Sequence, residues 1–110
     1  MVRERTEILK GTLDMLILKT LSLGKLHGLG ISRRLEQLTD GAFEVKPGSL
    51  FPALHRLEQE GWIRGEWGES ENNRRAKYYR LTAAGATRLG AEERSWSRLV
   101  VTIGKVLEAS

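Results

Sequence analysis

The chain has 110 residues, 40% hydrophobic and 29% charged, with no cysteine and a net charge of +4. That length serves one modest core rather than a catalytic domain plus a regulatory one, and the balance is that of a folded chain. The composition excludes a disulfide scaffold and a thiolate metal site and fits a reducing cytoplasm; no signal-type apolar segment follows the charged residues 1–7, and no apolar run approaches the ~20 residues that span a bilayer.

Residues 8–23 open the chain with Leu9, Leu13, Leu16, Ile17 and Leu21 three or four apart, the spacing of a helix buried on a broad face. Thr12 is expected to cap it, with Asp14 in the first turn facing the positive dipole end and Gly24 closing it. Residues 28–39 form a short second helix with Ile31, Leu35 and Leu38 inward and Ser32, Arg33, Arg34 and Glu36 outward; Asp40 and Gly41 break the pattern. After an extended link over 42–46, residues 47–61 hold a third helix with Leu50, Leu54 and Leu57 as its core stripe and Gly61 as its stop. A proline in a helix interior costs ~3 kcal/mol, so Ser49 is expected as N-cap with Pro52 in the first turn. A start at Pro47 would need a kink.

Two strands follow, over 62–67 and 77–81, the second with Tyr79 and Leu81 on one face and Tyr78 and Arg80 on the other. The polar linker 68–76 is long for a hairpin turn and reads as a wing. Trp62 and Trp67 are expected in the core or at its rim. Thr82 then caps a helix running to residue 110. In it Leu89, Trp96 and Ile103 recur every seven residues, Leu99 and Val106 add a second stripe, and Val100 and Leu107 widen it, while Glu92 interrupts the seam. In so small a chain this face calls for a second copy, making those seven apolar residues a dimerisation seam; the alternative is a helix folded back on its own head.

The order helix, helix, helix, strand, wing, strand, helix is that of a winged helix-turn-helix. The fold class is mostly α with a small β-hairpin wing: a DNA-binding domain over 1–81 and a dimerisation helix over 82–110. The third helix would enter the major groove of duplex DNA, with the wing on flanking phosphates or the minor groove. Charge agrees: residues 72–91 contain no acid and carry Arg74, Arg75, Lys77, Arg80 and Arg88.

On the third helix Ser49, Pro52, Arg56 and Gln59 are assigned to the face opposite the leucines, and His55 is read as a packing residue. Ser49 either donates to a phosphate or base edge or merely caps; Arg56 either reaches guanine or phosphate or pairs with Glu60. Lys46, just before the helix, is a phosphate candidate. Arg74, Arg75 and Lys77 suit a narrow minor groove, or form a solvated hairpin tip.

The segments 46–58, 60–63 and 74–82, with Lys46-Pro47-Gly48-Ser49-Leu50-Phe51-Pro52 at their head, closely resemble the PadR family of bacterial regulators. The stretches 10–18 and 27–31 are also similar, so the resemblance covers nearly the whole chain. The single C-terminal helix looks like the short subfamily of dimeric repressors. The resemblance implies a palindromic operator, often upstream of a transporter, stress or detoxification gene, and release by a small ligand or stress signal. Phe51 stands where the family usually has tyrosine, whose hydroxyl commonly reaches a phosphate; Phe51 keeps the ring and loses a hydrogen bond of order ~1 kcal/mol. Leu29 likewise replaces an aromatic residue. The Trp96-Ser97-Arg98 stretch is similar to that of PadR-like multidrug sensors. Trp96 therefore has two readings: with its dimer mate it lines a cavity that stacks a flat aromatic effector, or it fills the interface. An effector there would act by shifting two reader helices spaced ~34 Å apart.

An enzyme is not indicated. His27 and His55 are the only histidines and Asp14 and Asp40 the only aspartates, with no catalytic triad, metal-ligand spacing or phosphate loop, so neither cofactor nor metal is expected. Two other classes stay open: a winged-helix protein-interaction module, without salt-steep DNA binding, and an RNA binder preferring structured RNA.

Overall fold

The computed structural model describes residues 11–69 and 71–110. Among them the elements run α1 (Thr12–Ser22), β1 (Leu26–His27), α2 (Gly28–Leu38), α3 (Pro47–Gln59), β2 (Ile63–Glu69), β3 (Arg75–Leu81) and α4 (Ala83–Leu107). The expected helix start before residue 11, Leu9 included, lies outside the described residues, as does Ser70 of the wing.

One core joins all of this. Ile17, Leu18 and Leu21 of α1, Ile31 and Leu35 of α2, and Leu50, Leu54 and Leu57 of α3 meet Ile63, Tyr79 and Leu89. Each such leucine or isoleucine contributes about 1.5–3 kcal/mol by leaving water. Thr20 is buried with them because its hydroxyl donates to the Leu16 carbonyl at 2.7 Å.

The helix ends differ from the sequence reading in instructive ways. Thr12 does not cap α1: Gly11 is the N-cap, at φ 92°, and Thr12 is the first helical residue. Glycine enters that left-handed conformation without steric cost, so no side-chain cap is needed to turn the chain. Leu38 shares the Ile31 face but is 53% exposed, because it ends α2 and projects past the core. Thr39 closes that helix, donating to the Leu35 carbonyl at 2.8 Å and accepting from the Phe43 amide at 3.0 Å.

The third helix begins two residues before the expected Ser49 cap. Lys46 is the N-cap, Pro47 is the first helical residue, and Pro52 lies inside. Proline's fixed φ suits the first position, and the Lys46 carbonyl accepts from both Ser49 and Leu50 amides, at 3.0 and 2.9 Å. The carbonyl that Pro52 cannot bond belongs to Gly48. Both residues are exposed, which keeps the cost of the lost bond low.

The sheet has three strands, not two, in the order β1-β3-β2, all antiparallel. At two residues β1 is too short to show alternation, and it was not foreseen. The hairpin strands also run further into the expected linker, to Glu69 and from Arg75. Register pairs Ile63 with Leu81, Gly65 with Tyr79, Trp67 with Lys77 and Glu69 with Arg75. One sheet face, turned to α3, thus carries Ile63, Gly65, Trp67, Arg75, Lys77 and Tyr79.

Thr82 caps α4 as expected: its hydroxyl oxygen accepts from the Gly85 amide at 3.0 Å and donates to the Gly61 carbonyl at 2.6 Å. The helix start is pressed onto Trp62, just before β2, so that a Cβ on Gly85 would stand 1.9 Å from the Trp62 carbonyl oxygen. Leu89, placed on the dimerisation seam by its heptad spacing, is instead buried in the chain's own core. Beyond it, among the described residues, the apolar side chains Leu99, Val100, Ile103, Val106 and Leu107 of α4 are exposed, Leu107 to 79%.

Candidate nucleic-acid interface

The reader helix has one buried side and three others. Leu50, Ala53, Leu54 and Leu57 face the core. Contacts fix the two flanks. On one, Phe51 lies against the start of α2, where a Cβ on Gly28 would meet its ring at 2.8 Å, and Glu58 reaches the wing. On the other, Arg56 pairs with Asp14 of α1. Helical periodicity leaves Gly48, Pro52, His55 and Gln59 pointing directly outward, and all four are exposed. His55, read from sequence as packing, therefore lies in the middle of the outer face. Including Ala53 in the buried stripe would have revealed this, because it rotates the outward direction toward residue 55.

The expected DNA contacts fall into two groups. Lys46 and Ser49 are exposed at the first turn of α3, beside Pro52, where the positive dipole end favours a phosphate. Arg74 and Arg75 are exposed at the wing. Arg56 and Lys77 are engaged inside the chain. The Arg56 partner is Asp14, not the anticipated Glu60, since α1 packs beside that flank. Lys77 is not a free wing cation: its ammonium donates to Glu58 Oε1 at 2.9 Å. The Gly65 amide donates to the other oxygen at 3.2 Å. A Cβ at Gly65 would stand 2.3 Å from Lys77 Cε, so the pair closes only over a glycine.

This bridge has an electrostatic signature. The hydrogen bond from Lys77 holds the Glu58 carboxyl below the ordinary glutamate range, against a smaller opposing effect of burial. The same bond holds Lys77 above the ordinary lysine range. Tyr79, beneath them, is pushed up by burial and stays neutral.

Two concave regions flank these elements. An open groove of about 610 Å³ runs between α2, α3 and the wing, with Leu29, Arg33, Phe51, Trp67, Arg74 and Arg75 among its lining. Trp67 is 62% exposed there, with the Arg75 guanidinium 5.3 Å from its ring centre. The second hollow, about 560 Å³, lies between the start of α1 and the middle of α4, lined by Thr12, Met15, Glu92, Trp96, Leu99 and Thr102 among others. Trp96 is 39% exposed at its edge. Among the described residues no group of His, Asp and Glu could hold a metal ion, and no helix is long and apolar enough to cross a membrane.

Residues 17–91 match the family model described as the transcriptional regulator PadR-like family. The chain belongs to the PadR-like family. A PadR-like transcriptional regulator from Bacillus cereus has the same architecture, with a TM-score of 0.81 at 28% identity, over 96% of this chain and 100% of that one. A transcriptional regulator from Clostridium thermocellum superposes with a TM-score of 0.82 at 30% identity, over 91% and 97% of the two chains. A transcriptional regulator of Mycobacterium tuberculosis is 32% identical over 75 residues, 68% of this chain and 66% of that protein. PadR-like proteins are transcription regulators that bind DNA, not enzymes, and the architecture just described is a winged helix-turn-helix.

Proposed function

We propose that this PadR-like chain is a homodimeric, sequence-specific repressor acting on a palindromic operator in the cytoplasm. The observation that carries this reading is the division of labour along the chain. The outward face of α3 and the Arg74–Arg75 end of the wing are exposed, while the last turns of α4 offer an exposed apolar face among the described residues. The head spans residues 1–81 together with the first turns of α4, and Trp96, Leu99, Val100, Ile103, Val106 and Leu107 form the seam between copies. Lys46, Ser49 and Pro52 approach the duplex at the start of the reader helix, and Phe51 packs beside them.

The hollow beside Trp96 supports the effector reading. It is partly apolar, adjoins the seam, and touches α1 at Thr12 and Met15, next to the Asp14 that holds Arg56. A flat aromatic ligand stacked on Trp96 releases the operator by changing the spacing of the two reader helices. The regulated gene, following the family resemblance, encodes a transporter, stress or detoxification function.

Selection from a random duplex pool tests the reading. The expected product is an inverted repeat bound by one dimer. With six to ten phosphates engaged, affinity should fall ~10³–10⁵-fold between 50 and 200 mM salt. Sequence-blind, salt-insensitive binding, with or without aromatic compounds, would refute it.

A further inference from the structure

The groove between the reader helix and the wing carries a feature that phosphate contacts alone do not explain. Three exposed large apolar side chains line it: Leu29 from α2, Phe51 from α3 and Trp67 from β2. Single exposed apolar residues are ordinary, but three elements contributing to one concave strip are not. Arg33, Arg74 and Arg75 also line the strip, with one acid, Glu71. The lining is thus partly apolar and mainly cationic in its charge.

A nucleic-acid backbone has the complementary character, with apolar sugar faces alternating with anionic phosphates. We infer that this groove seats a stretch of deoxyribose-phosphate backbone, with Trp67 covering a sugar and Arg75, held on the Trp67 ring, meeting the adjoining phosphate. The inference rests on the DNA-binding reading and adds a sugar-recognition element to it. The cation–π contact orients a planar guanidinium whose fork matches two phosphate oxygens, so less freedom is lost on binding. Lys77 is held back by Glu58 and leaves the phosphate to Arg75.

The apolar part of the lining also selects the sugar. A ribose 2′-hydroxyl pressed against Leu29, Phe51 or Trp67 would lose its water without gaining a partner. The groove therefore favours deoxyribose, and the occupant is DNA rather than RNA.

The test uses the full-length chain and its selected operator. Trp67→Ala and Arg75→Ala should each weaken operator binding about tenfold, and the double variant little further, because the two side chains act as one unit. Trp67→Phe, which keeps an apolar ring, should retain most of the affinity but lose most of the tryptophan emission change that operator addition causes in the natural chain. One ribonucleotide, stepped along the operator strands, should weaken binding at the groove-facing position in the natural chain and not in Trp67→Ala. The proposal is overturned if the natural chain binds the operator tightly while Trp67→Ala matches it. It also fails if the emission change survives in Trp67→Phe, which would make the ring merely a stiffener of the wing, or if an RNA duplex of the same sequence binds equally well. Absence of any operator binding by the natural chain would remove the parent reading as well.

Discussion

Glu58 of the reader helix and Lys77 of the wing, nineteen residues apart in the chain, meet at 2.9 Å over Gly65. The pair ties the wing to α3 and occupies one of the wing's cations, so on the proposed reading Lys77 positions the wing rather than holding a phosphate.

Lys77→Met should therefore lower operator affinity while leaving the salt slope nearly unchanged, since no phosphate contact is removed. Gly65→Ala should do the same, because its Cβ displaces the flexible Lys77 stem. The cost to folding is small, about 0.5–1 kcal/mol for a pair this accessible. Salt titrations of both variants beside the natural chain check this; a slope reduced by one or more would return Lys77 to the phosphates.

The same pair sets a pH window. Glu58 is held low, so its contribution is present above the ordinary glutamate range and fades as pH falls through its lowered value. Lys77 is held high, so its contribution is present below the ordinary lysine range and fades as pH rises through its raised value. The difference in melting temperature between the natural chain and Lys77→Met should be flat across neutral pH and shrink at both extremes. A difference that varies between pH 6 and 8 would contradict it.

Asp14→Asn should strengthen operator binding. It frees Arg56, which otherwise exchanges Asp14 for a phosphate at a cost, and the salt slope should steepen by about one unit per protomer. A weaker complex would show instead that the ion pair only braces α1 against α3.

Ile103→Glu should separate the proposed dimer, because it would set two like charges into its apolar seam with no partner. Sedimentation should show a shift to monomer at micromolar concentration, with the head's helical signal kept. Leu89→Glu is the contrast: it strikes the core and should unfold the head.

Much of this molecule was readable from residue types. The stripes of α1 and α3, the stop at Gly61 and the Thr82 cap each have local causes, and local causes show in local sequence. What stayed hidden was set by distant partners. Leu89 and Trp96 share one heptad stripe, and nothing nearby says that the first is buried in the core and the second is exposed. Arg56 and Lys77 look like their exposed neighbours until α1 brings Asp14 and α3 brings Glu58. β1 exists only because β3 accepts it. The start of α3 differs from the sequence expectation for another reason: the ease with which Pro47 begins a helix outweighs the cost of Pro52 inside one.

Gly85 has a consequence for motion. The Trp62 carbonyl sits where its side chain would be, the Thr82 amide donates to that same carbonyl at 3.1 Å, and Thr82 also grips Gly61 at the end of the reader helix. The foot of α4 is thus clamped to the corner where reader helix becomes wing. A helix of 25 residues is a rod about 37 Å long. A rod clamped at its foot acts as a crank, so a small tilt imposed on its free end turns the corner beneath it. Gly85→Ala would force that clamp open, at about 1–3 kcal/mol, and would leave the two ends of the molecule folded but mechanically out of step.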